Sequence, residues 1–212
     1  MKSDIIQIDN QGIGFQAALE QTALTARFKA LDNRESLRLR LLTEEMLGML
    51  REITGETEAK FWVESEGKQF ELHLLAHPII TGRMREELLS VSSTGRNAAA
   101  VGVMGKLRDI FERAYDVTDV RDVSDYYSRG LMLTADPEGI DPMTCSFSAS
   151  VVSWSMQKYK TTVAAEKETD EAAMQEWDEL EKSIIANLAD EVRISIRGRE
   201  VEMVVYKSFG QE

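Results

Sequence analysis

The chain has 212 residues, 43% of them apolar and 29% charged, which is the composition of an ordinary globular domain and excludes a disordered one. Lys plus Arg is 25 against 37 Asp plus Glu, so the net charge is −12, unfavourable for binding nucleic-acid backbones or anionic membranes. The single cysteine, Cys145, excludes an internal disulfide framework and a cysteine zinc cluster, and two histidines exclude a histidine-rich metal site.

In chain order, Asp4–Asp9 (DIIQID) reads as a short strand broken by Gly12 and Gly14. Phe15, Leu19, Ala23, Ala26 and Ala30 then recur at helical spacing, which predicts a helix to about Leu31. Asn33 or Ser36 is the expected cap of a second helix, about Glu35 to Thr54. That helix carries Leu37, Leu39, Leu41, Leu42, Met46, Leu47, Met49, Leu50 and Ile53, an apolar surface wider than one stripe, so it is expected to be central and buried. Glu44 and Glu45 sit midway along it, either on a solvated face or on the floor of a ligand pocket.

Two alternating segments follow. Phe61 and Val63 face one way and Trp62 and Glu64 the other; after a turn at Glu66–Gly67–Lys68, Phe70, Leu72 and Leu74 share one face while Glu71 and His73 share the opposite one. This is an antiparallel hairpin covered on one side, with Glu71 and His73 expected on an exposed polar face. Arg83–Val91 and residues 103–114 are helix candidates on either side of a polar loop, Ser92–Asn97. Residues 116–142, where Asp116, Asp119, Asp122 and Asp125 recur every third residue and two of the three prolines lie, read as an irregular piece, and 116–165 as an insertion or lid within a single domain spanning 1–212. Ser148–Val163 fits strand or helix, and the spacing of Val152, Met156, Tyr159 and Val163 favours helix. Glu171–Ala189 is predicted helical with Trp177, Leu180, Ile184 and Leu188 inward, and the chain closes in a hairpin of Val192, Ile194, Ile196 and Val201, Met203, Val205. Strands paired as hairpins and helices in runs indicate an α+β fold, a mostly antiparallel sheet with helices packed on one face. No apolar run reaches the roughly 18–20 residues that span a bilayer, and MKSDIIQIDNQG has no apolar h-region, so the expected setting is the cytoplasm.

The chemical motifs are sparse. Gly12-x-Gly14-x-x-Ala17 has the form of a dinucleotide-binding turn, with Asp32 at about the right distance, but a helix follows where that motif needs a second strand. Gly95, Gly102 and Gly105 with Arg96 and Lys106 surround the start of the 103–114 helix, where unpaired N–H groups suit a phosphate. They do not form a P-loop, since Ala100 stands where its first glycine is required and Leu107 where its Ser or Thr is. No G-x-S-x-G or calcium-loop pattern occurs.

The element order resembles the Bergerat-fold, GHKL-type ATPase domain of histidine kinases and anti-sigma-factor kinases. The resemblance covers about 4–114 and 171–209, and it rests on the long helix LLTEEMLGML (41–50), the hairpin KFWVESEGKQFELHLLAH (60–77) and the glycine-bearing SSTGRNAAAVGVMGKLRDIF (92–111). In that family the long helix carries E-x-x-x-N, whose Asn holds the Mg²⁺ bridging the phosphates, and a D-x-G-x-G binds adenine. Here Gly48 and Met49 stand four residues after Glu44 and Glu45, no Asn lies within 35–54, and no D-x-G occurs anywhere. The resemblance therefore implies a histidine-kinase-like ATPase fold without ATP hydrolysis: a regulatory module with no cofactor, whose partner is another protein. The alternative it leaves is a binder of ATP with Mg²⁺ through a variant site. The residues expected to touch a ligand are Glu44, Glu45, Gly95, Arg96, Gly102, Gly105 and Lys106, with no catalytic or metal-ligating residue.

Overall fold

The computed structural model describes residues 1–52, 57–78, 131–135, 150–197 and 200–210. Its elements are β1 (Ile6–Asp9), α1 (Phe15–Phe28), α2 (Asn33–Glu52), β2 (Thr57–Glu66), β3 (Gln69–Pro78), β4 (Leu131–Ala135), β5 (Ser150–Ser155), α3 (Met156–Glu166), α4 (Glu171–Lys182), α5 (Ile184–Leu188), β6 (Glu191–Arg197) and β7 (Glu200–Ser208). The seven described strands form one sheet in the order β1-β2-β3-β7-β6-β5-β4. Every neighbouring pair is antiparallel. The chain is α+β, as its hairpin-and-helix pattern implied.

Period-two alternation decides which face is covered. Register pairs Phe61 with Leu74, Leu74 with Met203 and Met203 with Ile194, so these four cross the sheet in one row. All four are fully buried and belong to one core with Leu39, Leu42, Met46, Leu47 and Leu50 of α2. Helix α2 is thus the central buried helix its sequence indicated, except that Leu37 at its start is 56% exposed.

The α1–α2 contact is made by small residues. Ala18, Thr22, Thr25 and Ala26 are the buried positions of α1. The Thr22 and Thr43 hydroxyls lie 3.1 Å apart, and each reaches the carbonyl four residues back, Ala18 and Leu39, so that each proton has an acceptor within reach. Both hydroxyls are thereby satisfied inside the interface, as burial requires. The predicted inner face of α1 is rotated as a result: Ala23 and Ala30 are exposed, and Phe15 and Leu19 lie at the rim.

Three further expectations change. Helix α2 is capped by Asp32, not Asn33 or Ser36: Asp32 Oδ1 accepts the Glu35 N–H at 2.8 Å and Glu35 Oε2 accepts the Asp32 N–H at 2.9 Å, a reciprocal capping box. Ser148–Val163 is not one helix. Residues 150–155 continue the sheet as β5, and Ser155 caps α3 by accepting from the Lys158 N–H. Val152 therefore belongs to a strand, while Met156, Tyr159 and Val163 are the buried face of the helix. The 171–189 helix breaks at Ser183, whose hydroxyl caps α5, and the break changes the helical phase. Ile185 is buried in place of Ile184, which is 42% exposed.

Within 116–142, Leu131–Ala135 is a regular strand paired with β5. The helices expected at 83–91 and 103–114, the 92–97 loop, the other residues of 116–142 and Cys145 lie outside the described residues.

Candidate functional site

Two surfaces carry chemistry. The first is a groove of about 190 Å³ between α1 and α2, lined by Phe15, Leu19, Glu44, Leu47, Gly48 and Arg51. The Arg51 guanidinium lies 5.0 Å from the Phe15 ring centroid. Glu44 borders the groove and accepts from Arg40 Nε at 2.9 Å, one turn back along the same helix. Glu45 is half-buried and does not line the groove, so the structure separates the two glutamates that adjoin in sequence. Gly48 opens the groove, since no atom of the described residues lies within 4 Å of where its Cβ would stand. Gly95, Arg96, Gly102, Gly105 and Lys106 lie outside the described residues.

The glycines of Gly12-x-Gly14 have a packing role. Gly14 precedes α1 with φ +76°, and a Cβ there would stand 2.2 Å from the Gln7 carbonyl oxygen. The Asp9 carboxylate caps the same turn, accepting the N–H groups of Gln11 and Ile13 at 2.9 Å.

The second surface is the sheet face opposite the core. Trp62 and His73 are directly paired across β2 and β3, and their rings stack at 4.7 Å with planes 8° apart. Both are buried, with exposures of 8% and 9%, yet neither belongs to the core cluster. Glutamate side chains of the same face surround the imidazole. His73 Nδ1 donates to Glu202 Oε1 at 3.2 Å, and Nε2 lies 3.3 Å from Glu71 Oε2 and 3.9 Å from Glu64 Oε1. At Nε2 the alignment is poor, and this buried nitrogen has no hydrogen-bond partner among the described residues. Glu64 Oε1 accepts from Trp62 Nε1 at 2.8 Å and from Lys2 Nζ at 3.0 Å. These two hydrogen bonds hold the Glu64 carboxyl below its ordinary pKa, the Lys2 ammonium first and the indole N–H second. Glu64 and Glu71 face each other across the strand pair, a repulsive arrangement by itself. Lys2 offsets it.

The expectation that Glu71 and His73 share a face holds, but His73 is not exposed there. The signal in the sequence was Trp62, a large aromatic on the polar side of an alternating strand. What sequence alone left out is the pairing of β7 with β3: Val204 pairs with His73, and Glu202 reaches the imidazole diagonally from the same strand.

Four potential ligands meet here, yet among the described residues no group of three or more His, Cys, Asp or Glu is arranged to hold a metal ion. Glu64 is already committed to Lys2 and to the indole. No helix among the described residues is long and apolar enough to cross a membrane. No family model matches the chain, no curated protein matches it, and no solved structure matches it.

Proposed function

We propose that the chain is a non-catalytic binding and regulatory module on a histidine-kinase-like ATPase plan, acting through protein contacts made by the open face of its sheet. One observation carries this reading: an aromatic pair, Trp62 on His73, sits among glutamates on a sheet face that no described helix covers. Aromatic residues inside a polar rim are the anatomy of a protein-interaction surface, where buried aromatics carry much of the binding energy. The sequence adds that Gly48 and Met49, where the resembling family places its metal-holding Asn, offer no such ligand.

The second reading is a nucleotide binder using a variant site. The α1–α2 groove favours it in one respect, since Arg51 places a cation beside Glu44 and Gly48. Its described walls enclose about 190 Å³. That falls short of the roughly 300–1,000 Å³ of ordinary ligand pockets.

Two measurements separate the readings. A photo-crosslinking residue at Leu75, on the open face, should capture a protein in cells, and one at Glu20, on the outer side of α1, should not. Millimolar Mg-ATP should leave the melting curve unchanged, whereas a ligand at 100 times its Kd would stabilise by about 2.7 kcal/mol. A nucleotide-induced shift, or phosphate release abolished by Glu44→Ala, overturns the module reading in favour of the variant site.

A further inference from the structure

Strand order places two neighbours beside the Trp62 indole. His73 stacks on it from the β3 side. Residues 1–3 run along the other side of β2, where Ser3 N–H donates to the Val63 carbonyl, Ser65 N–H donates to the Met1 carbonyl, and Lys2 bridges to Glu64. Lys2 Nζ lies 4.6 Å from the Trp62 ring centroid and 3.0 Å from Glu64 Oε1. One ammonium thus receives both an aromatic face and a carboxylate, the two groups that together recognise a cationic side chain. The carboxylate is fixed in advance, because the indole N–H of the same Trp62 holds it at 2.8 Å.

The chain's own cation is loosely held. Lys2 and Glu64 are 51% and 39% exposed, and an ion pair at such exposure contributes little and exchanges readily with solvent. The surroundings favour a positive ligand. Glu71 and Glu202 flank the same aromatic pair with 44% and 39% of their side chains exposed, and the chain as a whole carries −12. Tyr206 repeats the pattern on the same face, with the Arg193 guanidinium 5.2 Å from its ring centroid.

We infer that the Trp62–Glu64 cradle is a docking site for a basic segment of a partner protein, whose lysine or arginine side chain takes the place held here by Lys2. Trp62 supplies the face not covered by His73, Glu64 the charge-assisted hydrogen bond, and Glu71 and Glu202 the field that attracts a segment with more than one positive charge. Lys2 is a built-in competitor. This inference rests on the module reading above and names its partner's chemistry.

The test is calorimetric titration of the full chain with a capped tetra-arginine peptide at low salt. Four proteins are compared: the parent chain, Lys2→Ala, Glu64→Gln and the helix-side control Glu20→Gln, each checked for an unchanged melting curve. Lys2→Ala is expected to tighten binding and Glu64→Gln to weaken it, each by about two- to fivefold, the scale of one exposed charge interaction. Glu20→Gln should match the parent. Equal weakening by Glu64→Gln and Glu20→Gln, which remove the same charge at different places, would mean diffuse attraction to an acidic surface and would overturn the proposal, as would failure of Lys2→Ala to bind at all. A Mg-ATP arm keeps the two levels apart. A melting shift with nucleotide sinks the module reading itself, whereas absence of both nucleotide and peptide effects sinks only the cation-docking site.

Discussion

Trp62 and His73 stack at 4.7 Å on the sheet face that the core does not use, joined by direct cross-strand pairing and by a shared fringe of glutamates. The pair belongs to the surface by position and to the interior by burial. Stacked aromatic pairs contribute about 0.5–1.5 kcal/mol beyond the area they bury. A double-mutant cycle of Trp62→Leu and His73→Leu, read by urea unfolding, should return a coupling energy of that size. Strict additivity would mean that the two rings are neighbours without mutual stabilisation.

The Asp32–Glu35 capping box gives a pH dependence with a defined sign. Asp32 lies below its ordinary value of 3.8, mainly through the Glu35 N–H. Glu35 lies below 4.5, through the Asp32 N–H first and the Lys68 ammonium second. Lys68 Nζ contacts both Glu35 oxygens, at 2.9 and 3.2 Å, which ties the β2–β3 turn to the start of α2. A carboxyl depressed in the folded state contributes stability above its unfolded value and loses it as pH falls through the folded one. Asp32→Ala should therefore lower the melting temperature at neutral pH, and the gap from the parent should shrink as pH drops below about 4. A gap that is constant from neutral pH into acid would show that the carboxylate charge plays no part.

Gly12 and Gly14 make a contrasted pair. Both have positive φ, +101° and +76°, a region in which a side chain costs about 1–3 kcal/mol. They differ in what a methyl would strike. At Gly12 the nearest atom is the tip of the Arg51 side chain at 2.9 Å, which can swing away; at Gly14 it is the Gln7 backbone carbonyl at 2.2 Å, fixed in β1. Gly14→Ala should be the more destabilising by chemical denaturation. Equal losses would mean that β1 yields as easily as an arginine side chain.

What was legible in the sequence was local. The alternation of Phe61, Val63 and of Phe70, Leu72, Leu74 marks a hairpin with one covered face, because pleating fixes where side chains point. The crowding of leucines and methionines on α2 marks a buried helix for the same kind of reason. The misplaced details share a cause as well. Asp32-x-x-Glu35 is a capping signature visible in the sequence, but Asn33 lies one residue along and is an equally good cap by propensity. Ile184 and Ile185 are equally apolar, and only the break at Ser183 decides which one turns inward. The candidate site was legible in part. Glu71 and His73 could be placed on one face, and Trp62 on the same side of its own strand. Their meeting with Glu202 and Lys2 depends on pairings across 129 and 62 positions of chain, which no local pattern encodes.

Leu47 and Gly48 are adjacent on α2 and should respond to alanine in opposite directions. Leu47 is 2% exposed and belongs to the core, so removing its side chain leaves a cavity and should cost about 2–5 kcal/mol. The lower part of that range is expected, because Leu47 also borders the open α1–α2 groove, where Phe15 and Leu19 have room to close in. Gly48 is exposed in the same helix and its missing Cβ would touch nothing within 4 Å among the described residues. Its present cost is conformational, since glycine in a helix interior is about 0.8–1.0 kcal/mol worse than alanine. Gly48→Ala should therefore raise stability by up to that amount, measured by urea unfolding with an unchanged m-value. A loss instead of a gain would mean that the helix at this position needs the missing side chain, for example because another group closes over the groove from outside. Helical propensity and open space give no other reason for a loss, so the sign of this one substitution tests whether the groove beside Glu44 is open in solution.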